Sequence, residues 1–214
     1  MSHRGFKRTF KRILGVPIWE IKKRDTFNQQ KIIDEIIAAK KKNPEQTEKQ
    51  EVDKWEWEDL GGFGVNEGFH QQGYESYAYM NSPESDLVET YQYMRDVLES
   101  DGGLDFPHQI CEGWFNFNKK FQANMPHTHG EVGLASVLFL KNAKGLTFYY
   151  PNPFSGIDNH NDAVGLDMSL EFYHVDAEVG DAVVFPSNLL HWVRPHNKEE
   201  DRITFACNIK INRF

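Results

Sequence analysis

The sequence predicts a mainly β jelly roll with N-terminal helices, an α+β chain in which two antiparallel sheets enclose a pocket. Three observations lead to this fold. Helical patterns are confined to the first half of the chain, whereas apolar residues after position 106 follow the two-residue period of strands. Several short strands follow one another there with few breaks. The 214 residues also fit one domain, since single all-β domains commonly run to about 200–250 residues.

Residues 1–105 are expected to form a helical and irregular support region, packed on a strand-rich core of residues 106–214 within the same domain. Residues 4–12 carry five basic side chains, no acid, and apolar residues at helical spacing. This pattern predicts an N-terminal helix lying on the domain, with a helix that touches a membrane or nucleic acid as the alternative. A strand is predicted over residues 16–22 and a helix over residues 28–42.

The middle of the chain is less regular. Residues 40–51 are charged and rich in Gln, which predicts a solvated helix end and loop. The Trp- and Gly-rich residues 55–73 indicate either a loop on the substrate side or irregular core packing. Residues 86–98 predict a second amphipathic helix, ended by Gly102 and Gly103.

The strand-like segments of the second half alternate apolar and polar residues or form short apolar runs. They are residues 111–118, 135–140, 146–150, 170–175, 181–185, 189–193 and 202–211. One long interruption, residues 151–169, has the length of a functional lid, with disorder as the alternative.

The composition excludes several classes of protein. Aromatic residues make up 14% of the chain, which predicts a core rich in rings. The formal net charge of −8 argues against a protein built to coat nucleic acid or anionic lipid, because both need a positive face. No run approaches the ~20 apolar residues of a membrane span, and no export signal is evident. We expect a cytoplasmic protein that is not secreted, with Cys111 and Cys207 as reduced thiols.

Metal-ligand residues cluster in the stretch from Met125 to Glu131. Side chains two apart on a strand share a face, so His127, His129 and Glu131 would project together if the strand stays regular. A non-haem iron oxygenase needs two imidazoles and one carboxylate on one face of the ion. His129 and Glu131 would supply one of each, and His191 on a distant strand would supply the second imidazole.

A three-histidine site is the alternative. His127 and His129 have the same spacing, and His191 would complete a set that also suits zinc with an open fourth position. Gly130 could bend the strand and take Glu131 away from the metal, so the third ligand stays open. Lone histidines are more often structural than ligands, and on that ground we leave three outside the set: His108, His174 and His196.

An anion site is indicated further along the chain. Arg202 follows His191 by eleven residues, and Thr204 lies on the same face as Arg202. The planar donor fork of arginine matches a carboxylate, and a hydroxyl adds one more donor. This pair suits the far end of a dicarboxylate whose keto-acid end chelates iron. A surface ion pair is the alternative for Arg202, and Arg194 is a second candidate. Neighbouring strands offer three residues that could line the pocket, with ordinary core packing as the alternative for each: Trp114, Asn116 and Tyr149.

These residues together resemble a known family. The resemblance rests on His127-Thr-His129, Ser136–Leu140, Gly180-Asp181, Phe185-Pro-Ser187 with His191, Arg202 and Asn208, and on the opening Leu14–Ile18. They are similar to the 2-oxoglutarate- and Fe(II)-dependent oxygenases, in particular to a small group frequent in phage and marine bacterial genomes. The resemblance covers most of the chain and is weak between residues 40 and 105. It would place the protein in a bacterial cell or an infected host.

The resemblance implies a double-stranded β-helix that uses Fe(II), 2-oxoglutarate and O2, with ascorbate as reductant. The reaction would be oxidative decarboxylation of 2-oxoglutarate to succinate, coupled to hydroxylation of a C–H bond in a protein side chain or a small metabolite. The broader superfamily uses His-x-Asp or His-x-Glu, so this His-x-His leaves the role of Glu131 open. Two other functions remain alternatives: a cupin-like three-histidine metalloprotein acting as another dioxygenase or an isomerase, and a non-enzymatic jelly-roll module of a virion or binding complex.

Overall fold

A computed structural model describes ten stretches of the chain: residues 8–13, 16–42, 44, 47–51, 71–78, 87–99, 104, 106–130, 133–149 and 172–212. The described helices are α1 (Gln29–Lys42) and α2 (Val88–Glu99). The described strands are β1 (Arg8–Ile13), β2 (Val16–Ile21), β3 (Thr47–Glu51), β4 (Gln71–Ala78), β5 (His108–Asn118), β6 (Gln122–His127), β7 (Gly133–Lys141), β8 (Leu146–Tyr149), β9 (Phe172–His174), β10 (Ala182–Pro186), β11 (His191–Val193) and β12 (Arg202–Ile211).

The strands form a jelly roll, as the sequence predicts. Eight of the described strands make the larger sheet, seven of them in the order β1-β2-β10-β7-β12-β5-β4 with β3 paired to β4, and β6-β11-β8-β9 make the smaller sheet. A short parallel pairing of β4 with β6 joins the two sheets, and the other described pairs are antiparallel. The chain is therefore mainly β with two described helices, in the double-stranded β-helix arrangement.

Two hydrophobic cores cover the two faces of the larger sheet. On one face, α1 and α2 pack their buried residues, such as Ile36 and Met94, against Phe205 and other residues of β7, β10 and β12. On the other face, Phe139 and Val183 meet residues of the smaller sheet such as Phe148. Phe205, Cys207 and Ile209 of β12 belong to the core beneath the helices, so strand alternation directs the residues between them to the opposite face of the sheet.

Most of the predicted elements are confirmed. Both helices, the strand after residue 16 and all seven predicted strands of the second half are present, with ends shifted by a few residues. Three predicted features lie largely or wholly outside the described residues: most of the segment 55–73, the loop 151–169, and Gly102 with Gly103. Both cysteines are free thiols. None of the helices in the described stretches is long and apolar enough to cross a membrane.

The predicted N-terminal helix over residues 4–12 is wrong for the part that is described. Arg8–Ile13 form β1, which pairs with β2 from Arg8 opposite Ile21 to Ile13 opposite Val16. The backbone groups of β1 find partners in β2, and β2 is itself hydrogen-bonded to β10 of the larger sheet. A few residues with helical spacing do not outweigh this long-range pairing.

The loop predicted over residues 40–51 is also wrong at its end. Thr47–Glu51 form β3, which pairs with β4 and lies off the main path of the sheet. A charged sequence is typical of such an edge position, because charged side chains discourage further strand addition. The division into a support region and a core stays a prediction, although β2 and β4 from the first half are hydrogen-bonded into the larger sheet.

The turn that leads into β10 is fixed by a buried carboxylate. Asp181 is 4% exposed and accepts hydrogen bonds from Lys22 Nζ at 2.6 Å and from the backbone N–H groups of Lys23 and Glu178 at 2.9 and 3.0 Å. The hydrogen bond from Lys22 to Asp181 stabilises the protonated lysine and so raises the pKa of Lys22. Asp181 therefore ties the end of β2 to the start of β10, the strand that leads to His191.

Candidate functional site

Three histidines converge between the sheets. His191 begins β11 and lies opposite His127, the last residue of β6, in the strand register. His129 follows two residues beyond the end of β6. One ligating nitrogen from each of the three lies within 4.8 Å of the others, and the Nε2 atoms of His129 and His191 are 3.1 Å apart. The rings of His129 and His191 stack with an interplanar angle of 8°.

Backbone carbonyls orient two of these imidazoles. The Nδ1 atom of His191 lies 2.8 Å from the carbonyl oxygen of Leu189, and that of His127 lies 2.7 Å from the carbonyl oxygen of Met125. A carbonyl can only accept, so each Nδ1 carries the hydrogen and each Nε2 keeps its lone pair. This is the arrangement that metal-ligating histidines adopt.

The environment keeps the inner imidazoles neutral. Burial, followed by the charge of His127, lowers the pKa of His191 to about 3 and that of His129 to about 4. A neutral imidazole has a lone pair to give at neutral pH, whereas a protonated one does not. Three converging imidazoles fit a divalent transition metal ion such as Fe(II) or Zn(II).

Of the two alternatives left open for this segment, a regular strand and a bend at Gly130, the structure has the bend, and the three histidines still converge. β6 ends at His127, and Gly130 adopts a φ of 71°, a left-handed conformation that suits glycine. Glu131 lies outside the described residues. Within the described stretches, the group of candidate ligands consists of His127, His129 and His191 and contains no carboxylate.

Ser187 ties the His129 loop to the strand that leads to His191. Its hydroxyl donates to the carbonyl of Gly130 at 2.8 Å and accepts from the N–H of Gly133 at 3.2 Å. Its backbone carbonyl accepts from the N–H of His129 at 2.8 Å, and its own N–H donates to the carbonyl of Gly133 at 3.0 Å. Both segments that carry ligands are therefore held by one buried residue.

Aromatic rings form the walls around the histidines. Trp114 of β5 stacks on His129 with centroids 5.2 Å apart and an interplanar angle of 24°. Phe185 and Phe148 pack against His191, with centroids at 4.8 and 6.1 Å. The place predicted for Trp114 on the pocket wall agrees with this contact.

A buried guanidinium lies at the start of β12. Arg202 is 2% exposed and donates from Nε to the carbonyl of Asn142 at 3.3 Å and from Nη1 to the carbonyl of Arg194 at 2.7 Å. Burial, and to a lesser degree the charge of Arg194, lowers the pKa of Arg202 to about 10, so it stays charged at neutral pH. In the described part of the chain no carboxylate forms an ion pair with it.

Gly145 makes room for this guanidinium. A Cβ at position 145 would lie 2.7 Å from Nη2 of Arg202, and the φ of 124° disfavours any side chain there. Glycine at position 145 therefore allows the Arg202 guanidinium to pack against this turn.

Polar residues share the inner face with Arg202. Thr204, two residues further along β12, is 5% exposed and lies opposite Asn116 of β5. The side-chain Oδ1 of Asn116 is buried and has no hydrogen-bond partner in the described stretches. Tyr149 follows Phe148 on β8, and strand alternation places it on the other face, where its ring pairs with Phe172 at 5.4 Å. A role for Tyr149 in binding the co-substrate stays a prediction, and the position of Tyr149 on this other face does not favour it.

The histidines left outside the ligand set have other partners. His108 lies 2.8 Å from the carbonyl of Phe106, and His196 lies 3.0 Å from the carbonyl of Asn118. His174 hydrogen-bonds with Thr147 at 3.0 Å. None of the three belongs to the metal-ligand group found in the described stretches.

Sequence reasoning missed the residues that support the ligands. Ser187 enters the sequence analysis only through the Phe185-Pro-Ser187 motif, and that motif could have suggested its hydrogen bonds. The carbonyls of Leu189 and Met125 leave no signal in the sequence, because every residue has one. The contact between Glu112 and Asn208, at 2.7 Å, joins two strands and depends on their register.

A jelly roll with three converging histidines and a buried arginine is an arrangement that can hold a transition metal ion and an anion. Residues 112–208 match the family described as "Putative 2OG-Fe(II) oxygenase". This segment contains the three histidines and Arg202. The match supports a 2-oxoglutarate-dependent oxygenase that uses Fe(II), 2-oxoglutarate and O2, and the three histidines could hold the metal.

Solved structures share the fold at low sequence identity. The viral collagen prolyl hydroxylase of Paramecium bursaria Chlorella virus-1, solved with 2-oxoglutarate, is 14% identical over 91% of this chain and 96% of its own, with a TM-score of 0.52. HygX of Streptomyces hygroscopicus, solved with nickel and 2-oxoglutarate, is 11% identical over 93% and 84%, with a TM-score of 0.51. The epimerase SnoN from nogalamycin biosynthesis is 12% identical over 90% and 78%, with a TM-score of 0.53. A comparison with curated proteins finds no match.

Proposed function

We propose that this enzyme hydroxylates a C–H bond of a protein side chain or a small metabolite while 2-oxoglutarate is decarboxylated to succinate. The observation that carries the proposal is the buried Arg202 guanidinium, which has no carboxylate partner among the described residues and contacts the carbonyl of Arg194, three residues beyond His191. A buried charge without a counter-ion is costly, and a bound anion removes that cost.

His127, His129 and His191 would hold the iron through their Nε2 atoms. The 4.8 Å limit on the separation of their nitrogens allows one ion to lie between them after small adjustments. His127 is the most exposed of the three and His191 the most buried, so the open side of the site is the His127 side. The bound iron would supply the electrons that activate O2 as 2-oxoglutarate is oxidised.

Arg202 would bind the distal carboxylate of 2-oxoglutarate. Its Nη1 atom contacts the carbonyl of Arg194, which lies three residues beyond His191, on the order of 10 Å along an extended strand. A five-carbon diacid that is chelated at one end and hydrogen-bonded at the other fits this interval. Thr204 would add a hydroxyl, and Asn116 would supply a further polar group at the wall.

The aromatic walls would exclude water from the reacting atoms. Trp114, Phe148 and Phe185 cover the faces of His129 and His191. A dry site strengthens the electrostatic contacts inside it and limits side reactions of the oxidant.

The fate of the substrate distinguishes hydroxylation from other oxidations. The fold neighbours include a prolyl hydroxylase and an epimerase, so fold alone does not select the outcome. If the enzyme is a hydroxylase, one oxygen atom from O2 is incorporated into the product. If it is an epimerase, a stereocentre of the substrate is inverted and no oxygen atom from O2 enters the product.

Succinate formation from 2-oxoglutarate with Fe(II), O2 and ascorbate tests the proposal, since this class turns over slowly even without substrate. We expect succinate from the wild type, and loss of 2-oxoglutarate binding but retention of Co(II) binding in Arg202→Ala. Arg194→Ala is the matched control, because Arg194 contributes its backbone carbonyl to this contact and should keep 2-oxoglutarate binding. Absence of both turnover and 2-oxoglutarate binding in the iron-loaded wild type would reject the proposal.

A further inference from the structure

We propose that Glu112 and Asn208 are positioning residues for His129: Glu112 fixes the Asn208 amide so that its oxygen faces the imidazole and leaves Nε2 of His129 free for the metal. The inference rests on the proposed metal site and adds the support of its third imidazole. Neither residue is a metal ligand in this arrangement.

The register of two strands brings the pair together. Asn208 of β12 lies directly opposite Glu112 of β5, and Asn208 Nδ2 donates to Glu112 Oε2 at 2.7 Å. A carboxylate only accepts hydrogen bonds, so it selects the amide nitrogen of Asn208 as its partner. The amide oxygen must then point the other way, toward the inside of the barrel.

The neighbour available to that oxygen is His129. Asn208 is 5% exposed, and its Oδ1 is buried without a partner of full hydrogen-bond geometry in the described stretches. Trp114 stacks on the His129 ring and lies opposite Ala206, which is two residues before Asn208 and on the same face of β12, so the Asn208 side chain lies on the His129 side of this sheet. Burial lowers the pKa of His129, and the Asn208 side chain opposes this effect, in agreement with that placement. Because Nε2 of His129 faces His191 at 3.1 Å, Nδ1 is the nitrogen left for Asn208.

The other two imidazoles show the same arrangement with a different acceptor. Nδ1 of His191 and Nδ1 of His127 each meet a backbone carbonyl, of Leu189 and Met125 respectively. The Asn208 amide oxygen is chemically equivalent to those carbonyls and would take the same role for His129. Trp114, which stacks on the His129 ring, lies opposite Ala206 in the same pair of strands. β5 and β12 together would therefore set both the plane and the tautomer of His129.

The stabilising partners of metal-bound histidines typically contribute 10–100-fold to metal affinity. Asn208→Leu keeps the approximate shape of the side chain and removes its acceptor, so we expect Co(II) affinity to fall by about 10–100-fold. The double variant Glu112→Gln/Asn208→Asp reverses the polarity of the pair. The new amide at position 112 can donate to the new carboxylate at position 208, which still accepts from His129, so Co(II) affinity should return toward the wild-type value.

Asn118→Leu is the matched control. Asn118 is also a buried asparagine of β5, 1% exposed, and its side chain donates to Asn124 at 2.8 Å without contacting a histidine of the cluster. It should lose stability to a similar degree and keep its Co(II) affinity. This separates a positioning effect from a general loss of folding.

The experiment is a Co(II) titration of the metal-free full chain for the four proteins, combined with ¹⁵N NMR of the histidine tautomers. We expect His129 in the Nδ1–H form in the wild type and a mixture of tautomers in Asn208→Leu. Equal Co(II) affinities for the wild type and Asn208→Leu, or an equal loss in Asn118→Leu, would overturn the inference. Failure of the wild type to bind Co(II) would instead overturn the proposed metal site on which it rests.

Discussion

Arg202 carries a charge in a place where charges are rare. Its two described hydrogen bonds go to backbone carbonyls, which satisfy Nε and Nη1 without neutralising the guanidinium. A side chain at position 145 would collide with Nη2, so glycine leaves the room that the guanidinium occupies, and the two hydrogen bonds hold the fork in one orientation. Such a fixed fork can bind a carboxylate with little loss of conformational entropy.

Arg202→Lys should therefore weaken 2-oxoglutarate binding although it keeps a positive charge. A lysine cannot reproduce the planar fork or both carbonyl contacts, and a hydrogen bond to a charged group contributes about 1.5–3 kcal/mol, or roughly 10–100-fold in affinity. Isothermal titration of the Co(II)-loaded protein with 2-oxoglutarate measures this change. Unaltered 2-oxoglutarate affinity, with Co(II) binding intact, would exclude Arg202 as the anchor.

The candidate site residues were easier to predict from the sequence than the groups that surround and orient them. His129, His191 and Arg202 could be found because their residue types and spacing are unusual for strands. The choice between His127 and Glu131 could not be made, because it depends on how the chain bends at Gly130. The main-chain carbonyls that set the tautomers carry no residue-type signal.

At the scale of elements, Ser187 joins the His129 loop to the end of β10. It is 2% exposed, and both its hydroxyl and its backbone bond residues of the segment from His129 to Gly133. The two ligand-bearing segments are distant in the sequence, so their relative position depends on such cross-links.

Ser187→Ala should lower both stability and metal affinity. The change leaves the N–H of Gly133 and the carbonyl of Gly130 without their hydroxyl partner, which costs about 1–3 kcal/mol when the groups stay buried. Urea unfolding and Co(II) titration measure the two effects. Ser136→Ala is the control, since the buried hydroxyl of Ser136 has no partner in the described stretches and its loss should be nearly neutral. Equal behaviour of the two variants would contradict this role for Ser187.

Elements with a long, consistent period were predictable and short ones were not. α1 and β12 present clear helical and strand patterns over ten residues or more. β1 and β3 are short and charged, and they become strands because β2 and β4 offer partners. Such pairing is a long-range property that a local pattern does not contain.

At the scale of the whole molecule, the jelly roll buries neutral histidines, and this links folding to pH. The pKa of His191 falls from 6.5 to about 3 and that of His129 from 6.5 to about 4 on folding, mainly through burial. Between about pH 3 and pH 6.5 the unfolded chain therefore binds more protons than the folded chain. Stability rises with pH across this window and is fully present above the unfolded value.

Acidification of the metal-free protein from pH 7 to pH 4 should lower the free energy of unfolding through these two groups. Urea unfolding at several pH values measures the change, and His191→Gln should flatten the pH dependence because its amide does not titrate. A steeper loss in His191→Gln than in the wild type would contradict the assignment of this effect to His191.

The overall fold was predictable because the change of period along the chain separates the helical region from the strands. The order of strands across the two sheets was not, since any antiparallel strand could pair with several others. The site lies where β6 and β11 of the smaller sheet meet β5 and β12 of the larger one. That meeting follows from the topology and not from any single segment.

The central claim is that three imidazoles form the metal site. Co(II) titration of His127→Ala, His129→Ala, His191→Ala and Glu131→Ala tests it most directly, with the wild type as reference. We predict that each histidine variant loses most of its Co(II) affinity and that Glu131→Ala keeps it. Loss of Co(II) binding in Glu131→Ala, together with wild-type affinity in His127→Ala, would contradict the three-imidazole site.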